Sequence, residues 1–594
     1  MGIIRIFIPL VYCIIAGTAF SLVSKRKFVD SLAPAFFIQI ILMLLTGMGL
    51  GRLSVGIWIE IAAAVGAIAF VCVREKSASS LIGIYYDSEK KIDLGVCLFV
   101  LFYFVIFAFN AGKHYNMSGE FSHWGWFVRE AYNNDSLYCL SSKMFEHKGY
   151  VPGVSLFETL WCRLSLRYSE PNAYRGIQML QTAMLIPIVT GLATKASENL
   201  EQKSRRIVMF VVNLFIIFAM PLFAAVPFYH TLYKDLILGV LVFYCIWITL
   251  TEEFGGYSLL VLGLSLCDVS LCNNVGITFV PVLLLFYVIW HHMFADKKIS
   301  RIRMWLSTVG VAIIAMIPWG LYKTYLGANG ISGAKYQNDI KAAYWKAIAM
   351  NGIIGKVSYF WIVVALAIVF VIFLLIEENK DNKKKIGLIA LWVVLTGVYY
   401  AIVMYFVYKN IIPESDAVEF AGLERYMSTY ILVALYAVVA TYSYYLSVVR
   451  NVAPYLAAIF LAENVALFFG AGQMLPGVLA NDEIWYEGHI EYLNNTIPDG
   501  EKLLFVSSVA DSNAALRVQF YCEDIEISEG IYDSVSGKEF VDECLKHDYI
   551  YFFSYDDGFV DKYSAAFESS DVIAPGRLYQ VENANGKIRT SPVG

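Results

Sequence analysis

Repeated apolar runs of about 20 residues constrain the fold of this chain more than any other feature. A run of that length spans a bilayer, and lipid leaves the backbone of a spanning segment no partner except itself, so each run must be helical. Only 16% of the 594 residues are charged, compared with about one-quarter in soluble domains. The sequence therefore predicts a polytopic α-helical membrane protein. The pattern predicts about 14 spans, at residues 3–23, 31–50, 55–73, 93–110, 173–194, 207–227, 231–250, 257–272, 275–292, 304–322, 357–376, 386–408, 427–447 and 453–471.

Basic residues cluster after odd-numbered predicted spans. The clusters are Lys25–Lys27, Arg74–Lys91, Lys195–Arg206, Lys297–Arg303 and Lys380–Lys385. Because basic loops stay in the cytoplasm, we expect the loops after even-numbered spans, and the C-terminal region, to be extracytoplasmic. Lys323 and three further lysines, at 335, 341 and 346, lie in a predicted outward loop, and the five clusters outweigh them.

The C-terminal region differs from the rest in charge. Residues 479–594 contain 22 acidic and 8 basic side chains, a net charge of −14, and since the whole chain has −5, residues 1–478 have +9. Three segments of this region predict strands, KLLFVSS, YIYFFS and RLYQVE, and two predict helices, Ile484–Leu493 and Lys538–His547. No glycine-rich phosphate loop is present. The basic residues lie in short loop clusters rather than on one face, so nucleic acid is not an expected partner.

These patterns divide the chain into three parts. We expect extra N-terminal transmembrane helices at 1–92, a transmembrane core at 93–471 with a long outer loop at 111–172, and an acidic soluble α/β domain at 479–594. The ten cysteines show no metal-ligand spacing. Two pairs, Cys139 with Cys162 and Cys522 with Cys544, would form disulfides in an oxidising compartment or would otherwise stay free and buried.

The outer loop contains the first candidate functional residues. The segment Glu120–Tyr132 has helical periodicity. One predicted face, suited to the membrane interface because it contains tryptophan, consists of Phe121, Trp124, Val128 and Ala131–Tyr132. The neighbouring face contains Glu120 and His123, which are one turn apart and can meet. The alternative is an interfacial helix with solvated polar residues.

Further candidates lie near the outer ends of predicted spans. They are Arg129, the turn His147–Gly153 with His147 and Tyr150, the segment Phe228–Gly239 with His230, Lys234 and Asp235, and Arg425 in ERYMSTY. Charges at span ends are also typical of snorkelling anchors. Several such segments near one membrane plane favour a site for a charged ligand, and arginine suits phosphate.

The layout resembles that of the GT-C glycosyltransferases, membrane enzymes that take a sugar from a polyprenyl-phosphate carrier. A span at Leu94–Asn110 followed by GEFSHWG is similar to their first outer loop with its acidic motif. HKGYVPG resembles the YPPG-like element of protein mannosyltransferase and aminoarabinose transferase relatives, and YKDLILG and ERY resemble recurring pieces of bacterial members. The resemblance covers residues 94–471. It departs from the family at Gly119, where many relatives have a second acid, at Asn273–Asn274, where a lysine is frequent, and at Val151 in place of a proline.

The resemblance implies an inverting glycosyltransferase. Glu120 would be the general base towards an acceptor hydroxyl, with His123 assisting. Arg425, with Lys234 or Arg129, would hold the lipid phosphate, and Asp235, His230, His147 and Tyr150 would complete the substrate site. The acceptor would be a cell-surface glycan, lipid or protein. No cofactor is expected, and the single acid leaves the use of a divalent metal open.

Two other classes of function fit parts of the pattern. A flippase or exporter of lipid-linked saccharides would share the many spans and the basic loops. A docking protein would use the acidic domain as a partner module. A flippase or exporter would not need a long outer loop with an acid or an outer α/β domain.

Overall fold

The computed structural model describes residues 2–75, 83–86, 92–141, 147–199, 203–224, 228–295, 300–331, 335–354, 356–445, 484, 486–508, 511, 513–530, 536–568, 573–584 and 587–593. The chain divides into two compact units. The first comprises Met1–Ala111 and Phe127–Ala480, and the second comprises Gly112–Trp126 and Asn481–Gly594.

The first unit is a bundle of apolar helices. Its elements are α1 (Gly2–Ser24), α2 (Phe28–Leu50), α3 (Leu53–Glu75), α4 (Leu94–Phe109), α5 (Gly125–Asn134), α6 (Gly153–Leu164), α7 (Glu170–Asn199), α8 (Lys203–Ala224), α9 (Lys234–Thr251), α10 (Gly256–Cys272), α11 (Phe279–Phe294), α12 (Arg301–Ala328), α13 (Lys341–Met350), β1 (Gly352–Ile354), β2 (Val357–Ser358), α14 (Tyr359–Ile376), α15 (Lys380–Asn410), α16 (Glu414–Glu419) and α17 (Leu423–Tyr445). The start of α5 belongs to the second unit.

Among the described residues, ten helices are long and apolar enough to cross a membrane, and three further apolar helices are shorter. The chain is therefore a multi-pass helical membrane protein in contact with a lipid bilayer. Helices lie at thirteen of the predicted spans, and the fourteenth, 453–471, lies outside the described residues. The span count of about 14 stays a prediction.

Helix α9 forms the centre of the first unit. Its residues from Lys234 to Thr249 are all buried, and it packs on α7, α10, α11 and α17. A Cβ added at Gly239 would lie 2.8 Å from the carbonyl oxygen of Thr429, so the glycine allows α9 and α17 to approach closely. Helices α12 and α14 instead expose apolar side chains such as Ile313 and Leu375, as expected for a lipid-facing surface.

The long apolar stretch from Leu259 to Trp290 is interrupted where its asparagines occur. Helix α10 ends at Cys272, and the Oδ1 of Asn273 accepts a hydrogen bond from the amide of Val275 at 3.2 Å. A Cβ on Gly276 would lie 1.8 Å from the carbonyl oxygen of Val269, so a residue with a side chain would not fit at this turn. The break brings Asn273 and Asn274 to the end of the helix.

The second unit is a five-stranded sheet with helices on both faces. Its elements are a π-helix (Glu120–Trp124), α18 (Glu487–Thr496), β3 (Lys502–Val506), α19 (Ala514–Tyr521), β4 (Glu526–Gly530), α20 (Gly537–Cys544), β5 (Tyr549–Phe552), α21 (Phe559–Tyr563), β6 (Arg577–Ala584) and β7 (Lys587–Pro592). The strand order is β4-β3-β5-β6-β7. Strand β3 is parallel to β4 and β5, and the pairs β5–β6 and β6–β7 are antiparallel.

Alternating side chains of β3 build the two cores of this unit. Leu504 and Val506 pack with α20 and α21, whereas Leu503 and Phe505 pack with α18 and α19. This alternation of side chains allowed β3 to be predicted from the sequence. The predicted strands β5 and β6 and the two predicted helices also coincide with observed elements. Strands β4 and β7 were missed because they are edge strands rich in charged and polar residues, a composition that protects edges but weakens the strand pattern.

The second unit also includes a segment of the outer loop. Phe121 lies 5.6 Å from Phe520 and 6.0 Å from Tyr521 between ring centroids, and Trp126 lies 5.2 Å from Phe520. Phe121 is 1% exposed and Trp124 is 7% exposed. The predicted membrane-interface face is therefore wrong for Phe121, because the aromatic side chains of α19 bury it in protein.

All ten cysteines lie within the described residues, and all are free. The two candidate disulfides are thus not formed. Burial raises the pKa of the Cys522 thiol to about 12, as expected for an inert core cysteine.

Candidate functional site

Two consecutive charged residues at the start of α9 form ion pairs with two different helices. The ammonium of Lys234 pairs with Glu158 of α6, and their side chains are 1% and 0% exposed. Asp235 pairs with Arg425 of α17. Neighbouring residues on a helix point about 100° apart, so one short segment can join α6 and α17.

Both carboxylate oxygens of Asp235 have partners. Oδ2 lies 2.9 Å from Nε of Arg425, and Oδ1 accepts a hydrogen bond from Nδ2 of Asn273 at 3.1 Å. The backbone carbonyl of Asp235 accepts a hydrogen bond from the Thr429 hydroxyl at 2.9 Å. Because the carboxylate is held on both sides, it fixes the position of the guanidinium that faces it.

Arg425 is the member of this cluster that reaches solvent. Its side chain is 31% exposed, whereas that of Asp235 is 7% exposed. The guanidinium carbon lies 4.2 Å from the ring centroid of Tyr233 and 4.9 Å from that of Tyr426. Two aromatic rings and one carboxylate thus orient a cation whose remaining donors suit a planar or tetrahedral oxyanion.

A lysine and the predicted turn lie beside the asparagines. Nζ of Lys323 donates to the carbonyl of Gly149 at 2.9 Å and to Oδ1 of Asn274 at 3.1 Å. The Tyr150 carbonyl accepts hydrogen bonds from Tyr138 at 2.7 Å and from Tyr322 at 2.9 Å. The turn is therefore anchored through its backbone. His147 has a φ of +58°, and its ring centroid lies 4.9 Å from that of Tyr150.

Two glycines of this turn differ in their surroundings, which gives a matched test. A Cβ on Gly153 would lie 2.7 Å from the carbonyl oxygen of Leu271, whereas a Cβ on Gly149 would have nothing within 4 Å. We expect Gly153→Ala to destabilise the protein by about 1–3 kcal/mol, because α6 must move away from α10. Gly149→Ala should change stability by less than about 0.5 kcal/mol. Thermal unfolding of both variants in detergent checks this, and equal stabilities would contradict the close approach.

The other predicted residues of the first unit lie in aromatic surroundings. The ring centroid of His230 lies 4.9 Å from that of Tyr174, and this histidine is 9% exposed. The guanidinium carbon of Arg129 lies 5.9 Å from the ring centroid of Tyr168. The structure thus joins Lys234, Asp235 and Arg425 in one cluster and places Arg129 and His230 against tyrosines.

Glu120 and His123 belong to the second unit. Oε2 of Glu120 accepts hydrogen bonds from the amides of Asn116 and Met117, both at 3.0 Å, and the residue is 0% exposed. Nδ1 of His123 lies 2.7 Å from the Ser122 hydroxyl oxygen. The Glu120 carboxylate therefore closes a tight loop with the backbone of Asn116 and Met117. That Glu120 and Arg425 serve one substrate site stays a prediction.

The local helix differs from the expected α-helix. Residues Glu120–Trp124 form a π-helix that the amide of Gly125 closes on the carbonyl of Glu120. A Cβ on Gly125 would lie 2.4 Å from the ring of Tyr115, so the glycine makes room for this packing. A π-helix turns less per residue than an α-helix, so residues three apart fall short of a full turn and are less well aligned on one face. The expected α-helical alignment of Glu120 and His123 is thus wrong, although π-bulges are frequent at functional sites.

Sequence reasoning missed three members of the first-unit cluster: Glu158, Asn273 and Lys323. Glu158 is the only acid in α6, a helix that is mostly apolar and buried, and an acid in such a helix is itself a signal. Lys323 contradicted the charge rule. Asn273 interrupted an apolar stretch. Each was visible as an exception to a pattern.

Among the described residues, no group of three or more histidine, cysteine, aspartate or glutamate side chains is arranged to hold a metal ion. No protein-family model matches the chain, and no curated protein matches it in sequence.

Proposed function

We propose that this protein is a membrane glycosyltransferase that moves a sugar from a polyprenyl-phosphate carrier to an extracytoplasmic glycan, lipid or protein. The observation that supports it best is the guanidinium of Arg425, which Asp235 and two tyrosine rings hold at the end of a buried charged cluster in a multi-pass membrane protein. An oriented and partly buried cation attracts a lipid-linked phosphate more strongly than a cation in water would.

The proposed reaction is a direct displacement at the anomeric carbon. The bond between this carbon and the phosphate oxygen breaks, and the acceptor oxygen forms the new bond from the opposite side with inversion. The carrier phosphate leaves as an anion, so it needs a cation rather than a general acid. Arg425 supplies that cation, and Lys323 is a second one nearby along the Asn273–Asn274 segment.

Glu120 is proposed to take the proton of the acceptor hydroxyl. A base must be held in one orientation, and the two backbone amides on Oε2 provide this for Glu120. The same hydrogen bonds give the residue a structural role. The two roles separate in a glutamine variant, which keeps an oxygen for the amides and loses the basic carboxylate.

The activity is tested with purified protein in lipid and a panel of polyprenyl-phosphate sugars. Release of free carrier phosphate together with transfer of labelled sugar to an acceptor is the expected result. If the intact donor instead crosses the membrane of proteoliposomes and no carrier phosphate is released, the protein is an exporter of lipid-linked saccharides and this proposal is wrong.

Arg425→Lys is expected to weaken donor binding by about 10- to 100-fold, seen as a higher KM. Lysine keeps a positive charge for Asp235 and loses the planar fork that binds two phosphate oxygens. The matched control is Arg26→Lys at the opposite end of α9. Nη2 of Arg26 lies 2.5 Å from Oε2 of Glu252, and its guanidinium carbon lies 4.3 Å from the ring centroid of Tyr257. An equal rise in KM for both variants would show that Arg425 is only an anchor.

A further inference from the structure

The backbone of Asn116 is held from both sides. Its amide donates to the carboxylate of Glu120 at 3.0 Å, and its carbonyl accepts a hydrogen bond from Nη2 of Arg517 at 3.3 Å. Arg517 is 401 positions further along the chain, on α19. The Asn116–Met117 peptide group thus connects Glu120 to the C-terminal domain, because its carbonyl accepts from Arg517 and its N–H, that of Met117, donates to Glu120 at 3.0 Å.

The same guanidinium also contacts the residue after Glu120. The Arg517 guanidinium carbon lies 5.6 Å from the ring centroid of Phe121. Arg517 therefore contacts the loop on both sides of Glu120 in sequence. Phe520, one turn further along α19, packs against Phe121 and against Tyr115 at 5.5 Å.

The helix that bears Arg517 is a rigid support. Ala514, Ala515 and Val518 of α19 are buried against β3 and β5 in one core of the domain. Burial lowers the pKa of Arg517 from its ordinary value, because its guanidinium is partly removed from water. Hydrogen bonds from such charged donors are stronger than neutral ones. The position of the 112–126 segment is thus determined by the C-terminal domain.

We propose that Arg517 is a positioning residue for Glu120, acting through the Asn116–Met117 peptide group, and that the C-terminal domain holds the acid-bearing loop in place. The structural part of this inference stands by itself. Its effect on the rate rests on the proposed function, in which Glu120 is the base.

The structural part is tested by amide hydrogen exchange on the full-length protein in nanodiscs. Arg517→Met should increase exchange of the Asn116 and Met117 amides by about tenfold, because the carbonyl of Asn116 loses its charged donor. Exchange in β3 and β5 should not change. Arg517→Lys, which keeps one donor, should recover most of the protection. The control is Arg589→Met, which removes an exposed pair with Glu568 in the same domain.

The rate part is tested with the polyprenyl-phosphate sugar panel. Arg517→Met should lower kcat by about tenfold with KM for the donor within about twofold, and Arg517→Lys should restore kcat. Unchanged exchange at Asn116 and Met117 would overturn the inference whatever the activity. Faster exchange with unchanged kcat would overturn the positioning role. If the wild-type protein transfers no sugar from any donor and Arg517→Met still increases the exchange, the structural part is supported and the proposed function is refuted.

Discussion

Glu120→Gln is expected to lower the rate of sugar transfer by about 10²–10⁴-fold, the range for loss of a general base. One oxygen of its side chain, Oε2, accepts hydrogen bonds from the amides of Asn116 and Met117. The glutamine oxygen can accept the same two bonds. The fold of the loop should therefore persist while the basic carboxylate is lost.

Matched variants separate chemistry from structure. Glu130→Gln changes another buried carboxylate, which is 4% exposed and accepts from Nδ2 of Asn134 at 3.1 Å. It should keep most of the activity. Glu120→Ala removes both the carboxylate and the acceptor of the loop amides, so it should lose activity and also protection of those amides. A Glu120→Gln protein that folds and transfers at the full rate would exclude this residue as the base.

Lys234→Met is expected to destabilise the protein by about 3–5 kcal/mol, the cost of leaving a buried charge without its partner. The side chains of Lys234 and Glu158 are 1% and 0% exposed. The double variant Lys234→Met with Glu158→Gln should recover much of the loss, because it removes the uncompensated carboxylate as well. Thermal or denaturant unfolding of purified protein in detergent measures both effects.

A solvent-exposed pair provides the control for this measurement. Lys384 and Asp381 are 3.2 Å apart with side chains 64% and 81% exposed, and such pairs contribute about 0–1 kcal/mol. Lys384→Met should thus be nearly neutral. If Lys234→Met is equally mild, or if the double variant is no better than the single one, the pair does not stabilise the junction of α6 and α9.

Much of the architecture was predictable because its signals are local. Apolar runs predicted the helices, and the period of two in KLLFVSS and YIYFFS predicted β3 and β5. The edge strands β4 and β7 were not predictable, because charged side chains that protect a sheet edge remove the apolar alternation. The π-helix at Glu120 was also missed, since it depends on Tyr115 packing over Gly125.

The candidate site was predicted in part. Lys234, Asp235 and Arg425 were expected together, and Asp235 pairs with Arg425 whereas the neighbouring Lys234 pairs with Glu158. Their partners Glu158 and Asn273 were not expected, because they come from helices whose contacts no local pattern reveals. The assignment of residues 112–126 to the C-terminal domain depends on Phe520 and Arg517, which follow some 400 positions later.

By itself, the sequence determined that this protein crosses a membrane many times, and that an acidic α/β domain follows the membrane part. Hydrophobic burial in lipid and the alternation of a buried strand are properties of neighbouring residues, so they can be read along the chain. Only the tertiary structure decided which charges pair within α6, α9 and α17, and that Glu120 is built into the C-terminal domain. Those contacts join distant segments, and their formation depends on close packing that the linear sequence does not display.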